Sequence, residues 1–388
     1  MNKALSVLGV FTLLLSPAIA AQAITVDMVT VGNAGNLADT TGYGAVNYAY
    51  QIGKYEVTAA QYTAFLNAVA TSADPYGLYN ASMGTSDGCM IQQTYSNGSF
   101  SYNVAADYVN RPVNYVSWGD AARFCNWLSH GQPNSGAEEL GTTEDGSYRL
   151  NGATTESELL GVTRKDGATY VIPSENEWYK AAYYDPNKNG VGKAGYWRFP
   201  TMHDVAPDNV YPSSGTNSAN CCSSNGAYVL NGPPYTTPVG SFYNSKSAYG
   251  TLDQGGNVWE WNEAVIYVAP PLPLFTHGLR GGSFYYWPGA TASTYRTTAG
   301  YAAGDSDDAG FRVAYVPEPG AIVLIFSAAI LLAIFGKPRL RGQKEVKRGQ
   351  NCFSPTRWLQ PARIDVRVPR PISARCPACP TVGQVLRA

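Results

Sequence analysis

Residues 279–296 read LRGGSFYYWPGATASTYR, rings and hydroxyls with no cysteine, histidine or carboxylate among them. Tyrosine and tryptophan offer large contact area at little rotamer cost and keep a polar tip for hydrogen bonding. The chemistry of such a run is recognition, and its competitor is plain strand core with alternate rings packed inward. Elsewhere the residue types that do chemistry are thin. His130, His203 and His277 lie far apart in the chain, whereas an iron site of the two-histidine, one-carboxylate kind needs a clustered facial set. Cys89, Cys221 and Cys222 sit in loop-like surroundings and allow one bridge, from Cys89 to either of the pair. Cys125 falls on an apolar helical stripe and reads as an inert buried thiol. Cys376 and Cys379 form a lone CxxC with no second pair and no nearby histidine, which falls short of a zinc site.

Three helices must position whatever site exists, and each opens with the same device. Thr58 with Gln61, Ser117 with Asp120, and Ser174 with Glu177 place a hydroxyl at the N-cap and a side-chain acceptor three residues on. Two are capping boxes and the Asp120 version a near variant. Each satisfies backbone N–H groups that the first turn leaves orphaned and contributes about 1 kcal/mol. Behind the caps the apolar spacing is helical: Tyr62, Phe65, Leu66 and Val69; Ala121, Phe124, Cys125 and Leu128; Trp178, Ala181 and Ala182. Short strands are expected over 48–52, 170–172, 258–261 and 310–314, with long Gly-, Asn-, Ser- and Tyr-rich loops between and no internal repeat. The fold class is α+β, with few helices, small irregular antiparallel sheets and long loops.

Hydropathy and charge divide the chain. Lys3 precedes an apolar run and small-residue steps up to Ala23, so residues 1–23 read as a secretory signal peptide and 24–315 as the exported domain. Pro317-Glu318-Pro319 stands ahead of AIVLIFSAAILLAIF (321–335) and of Lys337, Arg339 and Arg341. As a helix that apolar run rises about 22 Å, a marginal span against a hydrocarbon core of roughly 30 Å. The basic cluster stays cytoplasmic by the positive-inside bias. Residues 336–388 hold 12 of the 27 Lys and Arg and 2 of the 28 Asp and Glu, leaving 15 basic and 26 acidic residues upstream. An acidic body argues against nucleic acid as partner, because phosphate contacts need Lys and Arg. Residues 342–388 read as a disordered basic tail.

Six blocks resemble, in order, the formylglycine-generating enzyme, or sulfatase-modifying-factor, family: IGKYEVTAAQYTAFLNAV from Ile52, RPVNYVSWGDAARFCNWL from Arg111, YVIPSENEWYKAA from Tyr170, AYGTLDQGGNVWEW from Ala248, LRGGSF from Leu279 and GFRVA from Gly310. The resemblance implies a C-type-lectin-like fold. For the enzymes of that family it implies oxidation of a sulfatase cysteine to formylglycine by paired cysteines that hold copper(I). Those cysteines follow the Gly-Gly-Ser block at positions that here carry Tyr286 and Thr291. Soft Cu(I) selects sulfur, and a phenol or hydroxyl is a hard, poor donor for it, so copper oxidation is not expected. The resemblance also places Ser283, Tyr285, Tyr286, Trp287, Tyr295 and Arg296 at the substrate groove, above a bend permitted by Gly281 and Gly282. Asn257, the Val258 carbonyl and Glu260 match a structural calcium site, oxygen donors of the kind Ca²⁺ takes, though the ion prefers about 6 to 8 of them. The competing account of that loop is a Gly-Gly-Asn turn into a strand, with Trp259 and Trp261 in the core.

Residues 279–283, the aromatic and hydroxyl stretch, and 310–313 also resemble in their order the variable ligand-binding region of retroelement-diversified lectin-fold proteins, which bind and do not catalyse. Residues 316–341 resemble the PEP-CTERM signal read by exosortases of exopolysaccharide-producing Gram-negative bacteria, although about 47 residues follow where such signals normally end. The combined expectation is a protein exported across a bacterial inner membrane, anchored at least transiently and sorted by an exosortase. Its domain, without the copper cysteines, would bind a protein or glycan at the cell surface or in the extracellular matrix. The alternative is an oxidoreductase of the same fold with a divergent active site.

Overall fold

Among the described residues, four α-helices begin where caps allow. They are α1 (Ala59–Val69), α2 (Trp118–Ser129), α3, a single turn (Glu156–Leu159), and α4 (Glu175–Tyr183). In α1, α2 and α4 the N-cap hydroxyl accepts the N3 backbone N–H while the N3 side chain accepts the N-cap N–H, so Ser117 and Asp120 form a complete box as well. Their apolar stripes are core: Tyr62, Phe65, Leu66, Val69, Phe124 and Cys125 are wholly buried. Phe65 meets Phe124 edge to face at 5.3 Å, and Phe124 meets Phe311 at 5.4 Å. Trp178, Tyr179, Ala182 and Tyr183 of α4 form a second, smaller cluster.

This computed structural model describes residues 23–268, 274–297 and 304–317. The expected signal peptide up to residue 22, the apolar and basic segments beyond 317, and Cys376 with Cys379 lie outside the described residues. The strands are β1 (Met28–Val31), β2 (Tyr50–Gly53), β3 (Ile91–Ser96), β4 (Ser99–Val104), β5 (Tyr170–Val171), β6 (Tyr184–Asp185), β7 (Gly195–Tyr196), β8 (Trp259–Val268), β9 (Leu274–Arg280), β10 (Ala309–Gly310) and β11 (Ala314–Tyr315). One antiparallel sheet runs β1-β2-β11-β5 with Ala314 opposite both Ile52 and Val171, so the end of the domain inserts between its beginning and its middle. A second runs β10-β8-β9. There β8 and β9 form an antiparallel hairpin with a register shift between Asn262 and Val265, and β10 lies parallel to β8 with Ala309 opposite Trp259. The α+β class with small irregular sheets holds, and this one parallel pair departs from the antiparallel expectation. The hairpin β3–β4 was also not expected, although Asn97-Gly98, at φ 53° and 81°, is a strong signal for a two-residue turn with both central residues left-handed.

Loops dominate the rest, and ion pairs with at least one buried member tie them to helices and strands. Arg312 Nε and Nη2 donate to Glu260 at 2.5 and 2.6 Å with both side chains at 0 % exposure. Arg123 holds Glu144 at 2.7 Å, and Arg164 holds Glu177 at 2.8 Å. Removing one member of such a pair leaves a buried charge uncompensated, which makes each pair a strong constraint on the loops it connects. The bridge expected from Cys89 to Cys221 or Cys222 does not form: all three are free, buried thiols, and Cys89 belongs to the main core cluster while the other two lie outside it. Burial pushes the Cys89 and Cys221 thiols up to about 11 and about 12 and raises that of Cys125 as well, away from the reactive thiolate.

Candidate functional site

The double-glycine bend follows β9 directly. Gly281 and Gly282 have φ of 99° and 76°, and a Cβ on Gly281 would stand 2.9 Å from the Gln254 carbonyl oxygen and 3.2 Å from the Trp178 ring. Backbone conformation and available space therefore both require glycine. Before the bend, Arg280 is buried and fixed by Glu175 at 2.7 Å and by the carbonyls of Ser293 and Tyr295 at 3.0 and 2.8 Å. Beyond it, the Phe284 N–H donates to the Asn257 carbonyl at 3.0 Å, which ties the bend to the approach of β8. The β10–β8 pairing adds a third segment, with the Trp259 N–H donating to the Asp308 carbonyl at 2.7 Å.

These segments line a cavity of about 250 Å³ whose walls include Trp259, Trp261, Leu279, Tyr286, Asp305, Ser306 and Asp308. The Tyr286 ring stands edge-on to Trp259 at 5.1 Å, Tyr295 stacks on Trp259 at 5.9 Å, and half-exposed Trp287 meets Tyr295 edge to face at 5.5 Å. Tyr286, Trp287 and Tyr295 thus come together around Trp259, a ring that sequence reasoning placed in the core alone. The other expected residues serve differently. Tyr285 is 61 % exposed and leans on Tyr228. Ser283 is fully buried and donates its hydroxyl to Asp308 at 2.8 Å, bracing the opposite wall. Arg296 is not a lining residue: its Nη2 donates to Glu175 Oε2 at 2.6 Å and its guanidinium lies over Tyr43, so it braces α4.

Sequence reasoning missed the acidic wall, whose only signal was the run Gly-Asp-Ser-Asp-Asp over 304–308. Asp305 accepts from Asn80 at 2.6 Å, and Asp308 accepts from the hydroxyls of Ser283 and Ser306 at 2.8 and 2.6 Å. The Asn114 side chain and the Tyr115 N–H hold the carbonyls of Asp307 and Ser306 at 2.5 and 2.8 Å. None of the ion pairs among the described residues includes Asp305, Asp307 or Asp308. Burial raises the carboxyls of Asp305 and Asp307, and the charge of Asp308 adds to the rise at Asp307. Asp120, at the α2 cap, is pushed up to about 7 by burial and then by the charge of Asp305. Burial and then Asp308 raise the Tyr286 phenol. A ring-lined floor meets a negative wall that has no counter-charge among the described residues.

Neither metal implied by the resemblance fits these residues. Both Glu260 oxygens are taken by Arg312, and the Trp178 Nε1–H donates to Oε2 as well at 2.7 Å. Asn257 Oδ1 accepts from the Thr237 N–H at 2.9 Å and from Asn220 Nδ2 at 3.0 Å, while its own Nδ2 donates to Glu56 at 3.1 Å. Asn257, Val258 and Glu260 therefore leave no open set of oxygens for the expected calcium, and among the described residues no three His, Cys, Asp or Glu are grouped to hold an ion. At the copper positions Tyr286 offers a phenol, and Thr291, fully buried, donates its hydroxyl to the Pro288 carbonyl at 2.8 Å. A soft ion finds no sulfur there. The Cys222 N–H does donate to the Tyr286 carbonyl at 2.8 Å, but burial raises that thiol, away from the thiolate that metal binding requires.

The sequence profile of the sulfatase-modifying factor enzyme 1-like domain matches residues 29–316. No curated protein matches the chain. Among solved structures the chain is similar to CarF, at 20% identity over 75% of this chain and 98% of that chain with a TM-score of 0.42. It is similar to Treponema denticola variable protein 1, at 20% identity over 76% and 97% with a TM-score of 0.45. It is also similar to PvdO from Pseudomonas aeruginosa, at 19% identity over 75% and 91% with a TM-score of 0.36. The profile match covers most of the chain and includes all six sequence blocks, from the strand at Ile52 through the double-glycine bend to the strand at Ala314. The chain therefore belongs to the family of sulfatase-modifying factor enzyme 1-like domains.

Proposed function

We propose that this protein is an exported ligand-binding member of the family, which recognises a partner at the cell surface or in the extracellular matrix and does not oxidise through copper. The observation that carries this is what stands at the positions implied for the copper cysteines. Tyr286 is built into the ring cluster beside the cavity, and Thr291 is locked by its bond to Pro288. Trp287 and Tyr285, half exposed or more, add contact area at the rim, the side-chain chemistry of recognition surfaces. Export rests on residues 1–23. Sorting rests on 316–341, whose PEP-CTERM-like pattern assigns an exosortase-type enzyme as processing partner and a transient membrane anchor through 321–335. No described helix is long and apolar enough to cross a membrane.

Incubation of the purified mature protein with a cysteine-containing sulfatase peptide, copper and oxygen should yield no aldehyde by mass spectrometry. Turnover would replace the binding role by a divergent oxidoreductase. On protein and glycan arrays, saturable hits should be lost in Tyr286→Ala and Trp287→Ala. Replacing Pro317-Glu318-Pro319 should leave the protein in the inner-membrane fraction, and unchanged processing would remove the exosortase from the account.

A further inference from the structure

We propose that the cavity takes an organic cation, an ammonium or guanidinium group on a short alkyl stem, held between the rings of Trp259 and Tyr286 and the carboxylates of Asp305 and Asp308. This rests on the binding role above and names its ligand chemistry. Aromatic faces attract cations through the ring quadrupole, most strongly where water is excluded. Trp259 and Tyr286 line the cavity with ring centroids 5.1 Å apart, and Tyr295 stacks on Trp259 at 5.9 Å. The opposing wall is negative and has no counter-charge among the described residues: Asp305 and Asp308 are held by neutral Asn80, Ser283 and Ser306. Asp308 is partly withdrawn from water and Asp305 stands exposed at the rim, and an incoming cation supplies the positive partner that both lack among the described residues.

The same features exclude other classes. An anion would face Asp305 and Asp308 at once. A neutral saccharide would satisfy hydrogen bonds and leave the charge in place. A bare divalent ion needs converging oxygens, and no three acidic side chains among the described residues are grouped for one. The volume, about 250 Å³, lies below the ~300–1,000 Å³ of sites for drug-sized ligands and suits one side chain or one small amine. Lysine or arginine side chains of a polypeptide and free amines share this chemistry.

The test is titration of the mature full chain, followed by tryptophan fluorescence and calorimetry. The probes are N-acetyl-arginine amide and N-acetyl-lysine amide, their neutral counterparts N-acetyl-citrulline amide and N-acetyl-norleucine amide, a lysine-containing tetrapeptide, spermidine, and a neutral disaccharide. The cationic probes should bind at least about tenfold more tightly than the neutral ones, a preference that Asp308→Asn and, independently, Asp305→Asn should each reduce severalfold and that salt should weaken. Asp305→Asn leaves the Ser283 brace intact and serves as the control for a local rearrangement in Asp308→Asn, with circular dichroism on both. A tetrapeptide tighter than spermidine assigns the cation to a polypeptide, and the reverse order assigns it to free amines. If no cationic probe binds, or if citrulline or the disaccharide binds as well as arginine, the cation assignment is wrong. Array ligands still lost in Tyr286→Ala would then leave the binding role standing, whereas array ligands indifferent to that substitution would remove the binding role as well.

Discussion

Replacing Arg312 by methionine removes the central charge of the buried network. The guanidinium donates twice to Glu260 and also to the carbonyls of Gly53, Lys54 and Leu252 at 2.9, 3.3 and 3.0 Å. Glu56 and Asp253 lie near enough for Arg312 to oppose the rise that burial imposes on both, Asp253 reaching about 6. Methionine retains the stem and leaves Glu260 wholly buried without its counter-charge. Loss of one member of such a pair costs about 3–5 kcal/mol, to which the orphaned carbonyls add up to about 1 kcal/mol each. The pair alone corresponds to a fall in Tm of about 5–8 °C for a domain of this size. Urea and thermal melts of Arg312→Met, Glu260→Gln and the double variant at pH 7 measure it. The double variant should recover much of the loss, because both charges leave together. A cost under about 1 kcal/mol, or a double variant no better than the singles, would refute the reasoning. Because Arg312 occupies Glu260, calcium should leave the wild-type Tm unchanged; a calcium-dependent rise would show that the ion displaces Arg312.

Glu138 is buried, and burial, then the charge of Asp74, pushes its carboxyl up to about 9. Its folded pKa exceeds its unfolded one, so this group's contribution is full below about pH 4.5 and is lost as pH rises toward about 9. Glu138→Gln should abolish that slope and add about 1–3 kcal/mol at pH 7 in urea melts. His277, stacked on Trp118 at 3.9 Å, is pushed down to about 4 by burial. The unfolded chain takes up the proton first, so stability present above about pH 6.5 is lost as pH falls toward about 4, and His277→Phe should flatten that acid arm. Gly281→Ala should cost about 1–3 kcal/mol through its left-handed φ and the Gln254 contact. Gly141→Ala, with nothing within 4 Å of its Cβ, should stay within about 0.5 kcal/mol. Equal melts for the two glycine variants would remove the steric account of the bend.

Short-range chemistry governs the features that can be read along the chain. The three long helices are legible because a cap and its acceptor sit three residues apart and the apolar stripe repeats within each turn. The bend at Gly281 and Gly282, and the lack of sulfur at Tyr286 and Thr291, are likewise matters of residue type at one place in the chain. The Asn97-Gly98 hairpin carried the same kind of local signal.

The tertiary structure alone decided which of those residues are free to meet a ligand. Glu260 looked like a cation ligand until Arg312, 52 residues downstream, took both its oxygens. Arg296 looked like a groove residue until Glu175, 121 residues upstream, claimed it. Asp305 and Asp308 became a wall only because β10 pairs parallel to β8 and sets the Asp308 carbonyl on the Trp259 N–H. An ionic group's availability depends on which opposite charge the topology delivers to it, and in a loop-rich fold that partner arrives from a distant segment, beyond the reach of any local spacing.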